Sequence, residues 1–183
     1  PARIGGILKA ILVEDGATVT NGQALAHIDS EQLEYAVEAR RQDVSVARSA
    51  LDVARAQAER AAADLERAGN DHRRFQALRA DNAVSDQAAE QVATQWKSAV
   101  AAEKVARAQI DLAAAQVRQV EAALAIVERD LRDTVIHAPL NGVISRRFHE
   151  LGESVEPNKP VFRIENPERI EFSAFLAERY FPL

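Results

Sequence analysis

From Ser30 to Asp133 the chain contains no proline and a single glycine, Gly69. So long a stretch without helix breakers, rich in alanine, reads as helix. Its apolar positions alternate spacings of four and three, the signature of helices packed along a seam. One arm begins Leu33, Val37, Arg40, Val44, Ala47, Leu51; the other begins Val92, Trp96, Ala99, Glu103, Ala106, Ile110. A break falls at Arg79-Ala-Asp-Asn-Ala-Val-Ser85, where Ser85 or Asp86 can cap the second helix. In an antiparallel hairpin, facing residues have a constant number sum. Pairing Leu33 with Leu131 fixes that sum at 164 and centres the hairpin on residue 82, inside the break. Large then faces small: Leu51 meets Ala113, Ala54 meets Ile110 and Ala68 meets Trp96. Arg40 and Glu103 interrupt the seam, and their long stems are expected to carry both charges outward. Each arm of roughly 48 residues extends about 70 Å.

The two ends of the chain resemble each other. Adding 136 carries Gly6-Ile-Leu, Leu12, Gly16, Val19, Gly22, Leu25, Ile28 and Asp29 onto Gly142-Val-Ile, Phe148, Gly152, Val155, Asn158, Val161, Ile164 and Glu165. The spacing holds without gaps, and Gly22 maps to the other residue type that tolerates positive φ. Each half reads as short strands joined by Gly- or Asn-centred turns. Together the halves, 1–29 and 134–166, are expected to form one β-sandwich, split by the helical insertion 30–133 with its tip near 79–85. The class is mixed α and β.

Several functions are disfavoured. The net charge is −5 with no basic block, so nucleic acid is not an expected partner. The chain has no cysteine, hence no disulfide, thiolate metal site or Cys nucleophile. His27, His72, His137 and His149 show no HxxxH or HExxH spacing, so no metal is expected. No GxSxG or phosphate loop occurs, and no catalytic constellation is legible. Acidic and basic residues alternate along the helices, as on a solvated coiled-coil surface. Starting at Pro1 without an initiator methionine, the chain reads as a piece of a longer protein.

The split halves resemble the biotinyl/lipoyl-carrier fold. True carriers hold their attachment lysine in the turn between halves. Here Ser30 and the insertion occupy that place, so no covalent cofactor is expected. A lipoyl-like sandwich with an inserted helical hairpin resembles the periplasmic adaptor, or membrane fusion, family. The return segment Thr134-Val-Ile-His-Ala-Pro-Leu-Asn-Gly-Val-Ile144 is similar to that family's T-x-I-x-A-P-x-x-G-x-[VI] stretch. Residues 170–178, within 167–183, resemble the first strand of its β-barrel domain. Adaptors that engage TolC-type channels show R-x3-L-x6-S at the hairpin tip, which falls here on Arg74, Leu78 and Ser85. The resemblance implies a non-enzymatic adaptor in the periplasm, associated with the inner membrane. Its partners would be an inner-membrane transporter, an outer-membrane channel, and its own copies in a ring of about six. A proton-driven resistance-nodulation-division pump is the first expectation, and ATP-driven export or type I secretion the alternative. A carrier domain of an enzyme complex is the reading from another class.

Overall fold

The computed structural model describes residues 1–166, so the barrel-strand expectation at 170–178 lies outside the described residues. The elements run β1 (Gly6–Ile11), β2 (Thr18–Val19), β3 (Ala24–Ile28), α1 (Glu31–Ala80), α2 (Asp86–Arg132), β4 (Val135–His137), β5 (Gly142–Arg147), β6 (Ser154–Val155) and β7 (Phe162–Glu165). They form two compact units: Pro1–Glu34 with the chain from Arg129 onward, and Tyr35–Glu128.

In the first unit, one sheet has the order β4-β3-β1-β6 and the other β2-β5-β7. The sequence repeat is reproduced residue by residue. Leu8 pairs with Ile28 and Ala10 with His27, while Ile144 pairs with Ile164 and Arg146 with Arg163, each pairing shifted at the same point. The short strands change partners between halves: β6 adds to β1 through Gly6 and Val155, and β2 adds to β5 through Gly142 and Val19. Loop hydrogen bonds are duplicated as well. Gly16 N–H donates to Ile144 O at 2.8 Å, and Gly152 N–H donates to Leu8 O at 2.9 Å. Gly16 and Gly152 have φ of 84° and 85°, and Asn158 takes the positive φ that Gly22 has in the first half.

This exchange makes each half incomplete alone. Leu8 and Ile28 pack with Val155 and Val161, while Ile144 packs with Val19 and Leu25. Leu8, Val19, Leu25, Ile144, Val155 and Val161 are all 1% exposed. Burying side chains of this size contributes about 1.5–3 kcal/mol each, before conformational entropy is subtracted.

In the second unit, the buried residues of α1 are Val37, Val44, Ala47, Leu51, Ala54 and Ala58, all on the seam. Ala47, Leu51 and Val117 form one cluster with Ile110, Ala113 and Val120 against it. That cluster fits the 164 register, in which Ala47 faces Val117 and Leu51 faces Ala113. Longer side chains sum higher. The cross-helix pairs Arg41–Glu128 (3.3 Å) and Arg48–Glu121 (2.6 Å) add to 169, and the stacked His72–Trp96 pair adds to 168. Side chains on a helix lean toward its N-terminus, so long ones on antiparallel helices reach toward each other across about one turn. Trp96 therefore stacks on His72, with ring centroids 4.9 Å apart and planes 5° from parallel, where Cα register alone pointed to Ala68.

The two seam charges behave differently. Arg40 points outward to Asp43 at 3.0 Å, with its side chain 52% exposed. Glu103 does not turn out into water: its side chain is only 13% exposed and is neutralised by Arg107 one turn on. An (i, i+4) partner on its own helix lets a carboxylate stay against the seam.

Leu51→Ala is expected to cost about 2–3 kcal/mol in urea unfolding, the low end for Leu→Ala, because the facing position is already an alanine and the site borders solvent. A cost below about 0.5 kcal/mol would remove Leu51 from the seam.

Candidate functional site: the turn between the helices

The hairpin turn is built by two opposed caps. Asn82 has φ 55°. Ala83 N–H donates to Leu78 O at 2.8 Å and Asn82 N–H to Arg79 O at 3.0 Å, the two bonds of a Schellman motif. An asparagine serves because it tolerates the left-handed region better than branched residues. Ser85 opens α2: its Oγ accepts from Ala88 N–H at 3.2 Å and its carbonyl from Ala89 N–H at 3.1 Å. Arg79 Nε reaches Asp86 at 2.8 Å, tying the end of α1 to the start of α2.

Arg74, Leu78 and Ser85 therefore sit at and just below this turn. Arg74 precedes Leu78 by one turn, pairs with Asp71 at 2.6 Å and keeps its side chain 66% exposed. Leu78 is 36% exposed, so its carbonyl closes the cap while its side chain still faces water. Ser85 is committed to the cap. Ser85→Ala is expected to cost about 1 kcal/mol of stability, read as a lower urea midpoint at unchanged slope.

The T-x-I-x-A-P residues hold the fold. Thr134 is 3% exposed, and its hydroxyl donates to Leu131 O at 2.7 Å, finishing α2. Its carbonyl accepts from Ile28 N–H at 2.8 Å, joining the helix exit to β3. Ile136 and Ala138 are buried in the two core clusters.

At the junction entering α1, Asp29 accepts from Glu31 N–H at 3.3 Å and pairs with Lys9 at 3.3 Å. The Glu31 N–H first, then Lys9, hold its carboxyl below the usual range. Lys9 comes from β1 and lies beside this junction in space although distant in sequence. Its ammonium is thus engaged in an ion pair.

Among the described residues there is no group of three or more His, Asp or Glu able to hold a metal. No helix among them is long and apolar enough to cross a membrane.

Residues 1–166 match the family described as CzcB-like, barrel-sandwich hybrid domain. A UPF0194 membrane protein in the asrC 5′ region of Acidithiobacillus ferridurans is 37% identical over 71 residues, 38% of this chain and 21% of that protein. MacA from Actinobacillus actinomycetemcomitans shares the fold at TM-score 0.62 and 22% identity, over 90% of this chain and 48% of that one. The soluble domain of LipC, a membrane fusion protein of a type I secretion system, does so at TM-score 0.53 and 13% identity, over 90% of this chain and 97% of that one. The chain thus spans about a fifth of the curated relative and about half of MacA. It belongs to the CzcB-like barrel-sandwich hybrid domain family, and its fold is that of the membrane fusion proteins, or periplasmic adaptors.

Proposed function

We propose that this chain is the hairpin-bearing part of a periplasmic adaptor that links an inner-membrane transporter to a TolC-type outer-membrane channel through its tip. The observation that carries the reading is Arg74, Leu78 and Ser85 in R-x3-L-x6-S spacing around the turn that reverses α1 into α2. Arg74 offers several fixed donors to carbonyls or carboxylates of a partner helix. Leu78 offers an apolar knob, and Ser85 a small polar surface. The adaptor works in the periplasm beside the inner membrane, in a ring of about six copies. It performs no chemistry; the transporter supplies the energy. A proton-driven resistance-nodulation-division pump is the first reading. An ATP-driven exporter is the second, favoured by the fold shared with LipC, a membrane fusion protein of a type I secretion system.

The chain has no cysteine, so Leu78→Cys places a single thiol at the turn. With a thiol-reactive crosslinker and a purified TolC-type channel, that thiol should capture the channel at its periplasmic end. A cysteine at the exposed Val46, far down α1, should not. Equal capture from both positions would count against tip docking.

A further inference from the structure

The two halves of the sandwich are equivalent except at one edge. β3 has a neighbour on each side, β1 and β4, whereas its counterpart β7 has only β5. The repeat shows where a neighbour of β7 would lie. Ala138 N–H donates to Gln23 O at 2.9 Å, and Gly22 N–H donates to Ala138 O at 2.8 Å. The same two bonds recur at the equivalent residues: Ala2 N–H donates to Lys159 O at 3.1 Å, and Asn158 N–H donates to Ala2 O at 2.7 Å. Ala2 is therefore held at the approach to β7 as Ala138 is at the approach to β3. Going back from Ala138, the chain runs along β3, with His137 opposite Ala24, Ile136 opposite Ala26 and Val135 opposite His27. In the same register Pro1 falls opposite Pro160, and Phe162 and Arg163 face the open side of β7.

Backbone and side chains both register the gap. Ile28 N–H, on the β4 side of β3, donates to Thr134 O at 2.8 Å. The equivalent Ile164 N–H points to the open side of β7. Ile136 is 8% exposed and packs in one cluster with Ala26, Val155 and Val161. Among the described residues no side chain takes the equivalent place opposite Phe162. Instead Leu25, Ile136, Leu140, Phe162 and Ile164 line a cleft of about 360 Å³ that also borders Pro1. Phe162 and Ile164 are only half-buried, and Leu140 is 42% exposed. An unpaired strand edge beside a partly open apolar cleft is a template for one more strand.

We propose that this edge takes the stretch of the full-length protein just ahead of Pro1, the counterpart of Thr134-Val-Ile136, as a short strand antiparallel to β7. Continuity names the occupant. Ala2 is already bonded to the loop before β7, so the chain ahead of it needs no turn to run along that strand. The residue next to Pro1 faces Phe162 and is apolar, because its side chain enters the cleft. The cleft leaves room for it although Phe162 is larger than its counterpart Ala26. The residue before that lies opposite Arg163 on the outer face, where a polar side chain is tolerated. The next one back offers its carbonyl to Ile164 N–H, as Thr134 does to Ile28. The strand entering the sandwich and β7 leaving it are then hydrogen-bonded neighbours running in opposite directions. The sandwich is joined to the rest of the protein by a paired ribbon instead of two separate linkers. This pairing does not depend on what the hairpin turn binds.

Hydrogen exchange at the Ile164 amide reads the pairing directly. In the full-length protein that amide should exchange more slowly than in the chain beginning at Pro1, by about five- to tenfold for one added hydrogen bond. The chain's own sequence supplies a second test. Adding Thr-Val-Ile ahead of Pro1 repeats Thr134-Val135-Ile136 in the equivalent place, and should raise the urea midpoint and protect Ile164. Adding Thr-Val-Asp, which sets a charge in the cleft, should do neither. Adding Thr-Val-Ile-Gly, which displaces the pairing by one residue and turns the isoleucine to the other face, should also do neither. Equal exchange of Ile164 in the full-length protein and in the chain beginning at Pro1 would overturn the proposal. So would a Thr-Val-Ile extension that behaves like either control. Slow exchange of Ile164 already in the chain beginning at Pro1 would mean that another segment holds the edge, and would overturn it too. Leu78 crosslinking reads channel docking separately, so the two ideas fail independently.

Discussion

Arg74→Asp in the full-length protein is expected to abolish export while leaving the helix content of this chain unchanged and lowering its melting by a few degrees at most. Arg74 contributes little to the fold. Its ion pair with Asp71 is on an exposed helix surface, with side chains 66% and 43% exposed. Pairs of that kind contribute about 0.2–1 kcal/mol at most. The replacement sets two carboxylates three residues apart, which costs a few tenths of a kcal/mol more. A partner interface magnifies the same change. It removes fixed donors and directs a negative charge at acceptors, and truncating a buried charged hydrogen bond costs about 2–5 kcal/mol. In the proposed ring, repetition would compound the loss. The measurement is toxin or drug susceptibility of cells carrying the variant, with circular dichroism as the folding control. Wild-type resistance with an undisturbed spectrum would leave Arg74 as a helix-surface charge and end the tip assignment.

The hairpin was legible because its information is local and periodic. The four-and-three spacing fixes the seam, the run Arg79–Ser85 fixes the turn, and the number sum fixes which residues face each other. Lengths and leans of side chains were not encoded in that sum. His72 and Trp96 meet one turn off the Cα register for that reason, and Glu103 stays inward because Arg107 is within reach. In the β unit, the repeat revealed which residues are equivalent but not which half pairs with which. The exchange of β2 and β6 rests on two-residue strands, too short to show a period. The tip residues were found through resemblance. At the turn Arg74 holds an exposed ion pair and Ser85 a helix cap, both set by local geometry, and a partner contact adds nothing to the folding of the single chain. That is why function has to be read from a partner-dependent measurement.

The symmetry of the sandwich sets up a comparison in which each site controls for the other. Gly6 and Gly142 are equivalent by the repeat, and neither has a positive φ, so both are required by space and not by torsion. A Cβ at Gly6 would come within 2.5 Å of Ile28 Cγ2. At Gly142 it would meet Glu165 O at 2.5 Å, Ile164 Cγ2 at 2.9 Å and Glu165 C at 3.1 Å. The difference is what has to yield. The Ile28 methyl sits on the branched β-carbon of a side chain buried among Leu8, Val155 and Val161, so it yields only by forcing χ1 against packed neighbours, at about 1–3 kcal/mol. The Glu165 carbonyl belongs to the backbone of β7, whose Glu165 pairs with Val143 beside Gly142. It can give way only by lifting the strand from β5. Gly→Ala also gains about 0.4–1 kcal/mol by restricting the unfolded chain, which offsets part of either clash and the whole of neither. Gly6→Ala should therefore still be destabilising, by about 1–2 kcal/mol. Gly142→Ala should lose more, about 3 kcal/mol, which for a chain of this size lowers the melting temperature by about 2–4 °C per kcal/mol. Urea unfolding of the two single variants and the double variant decides it. Equal losses at both sites would mean that the backbone of β7 yields as readily as the Ile28 side chain.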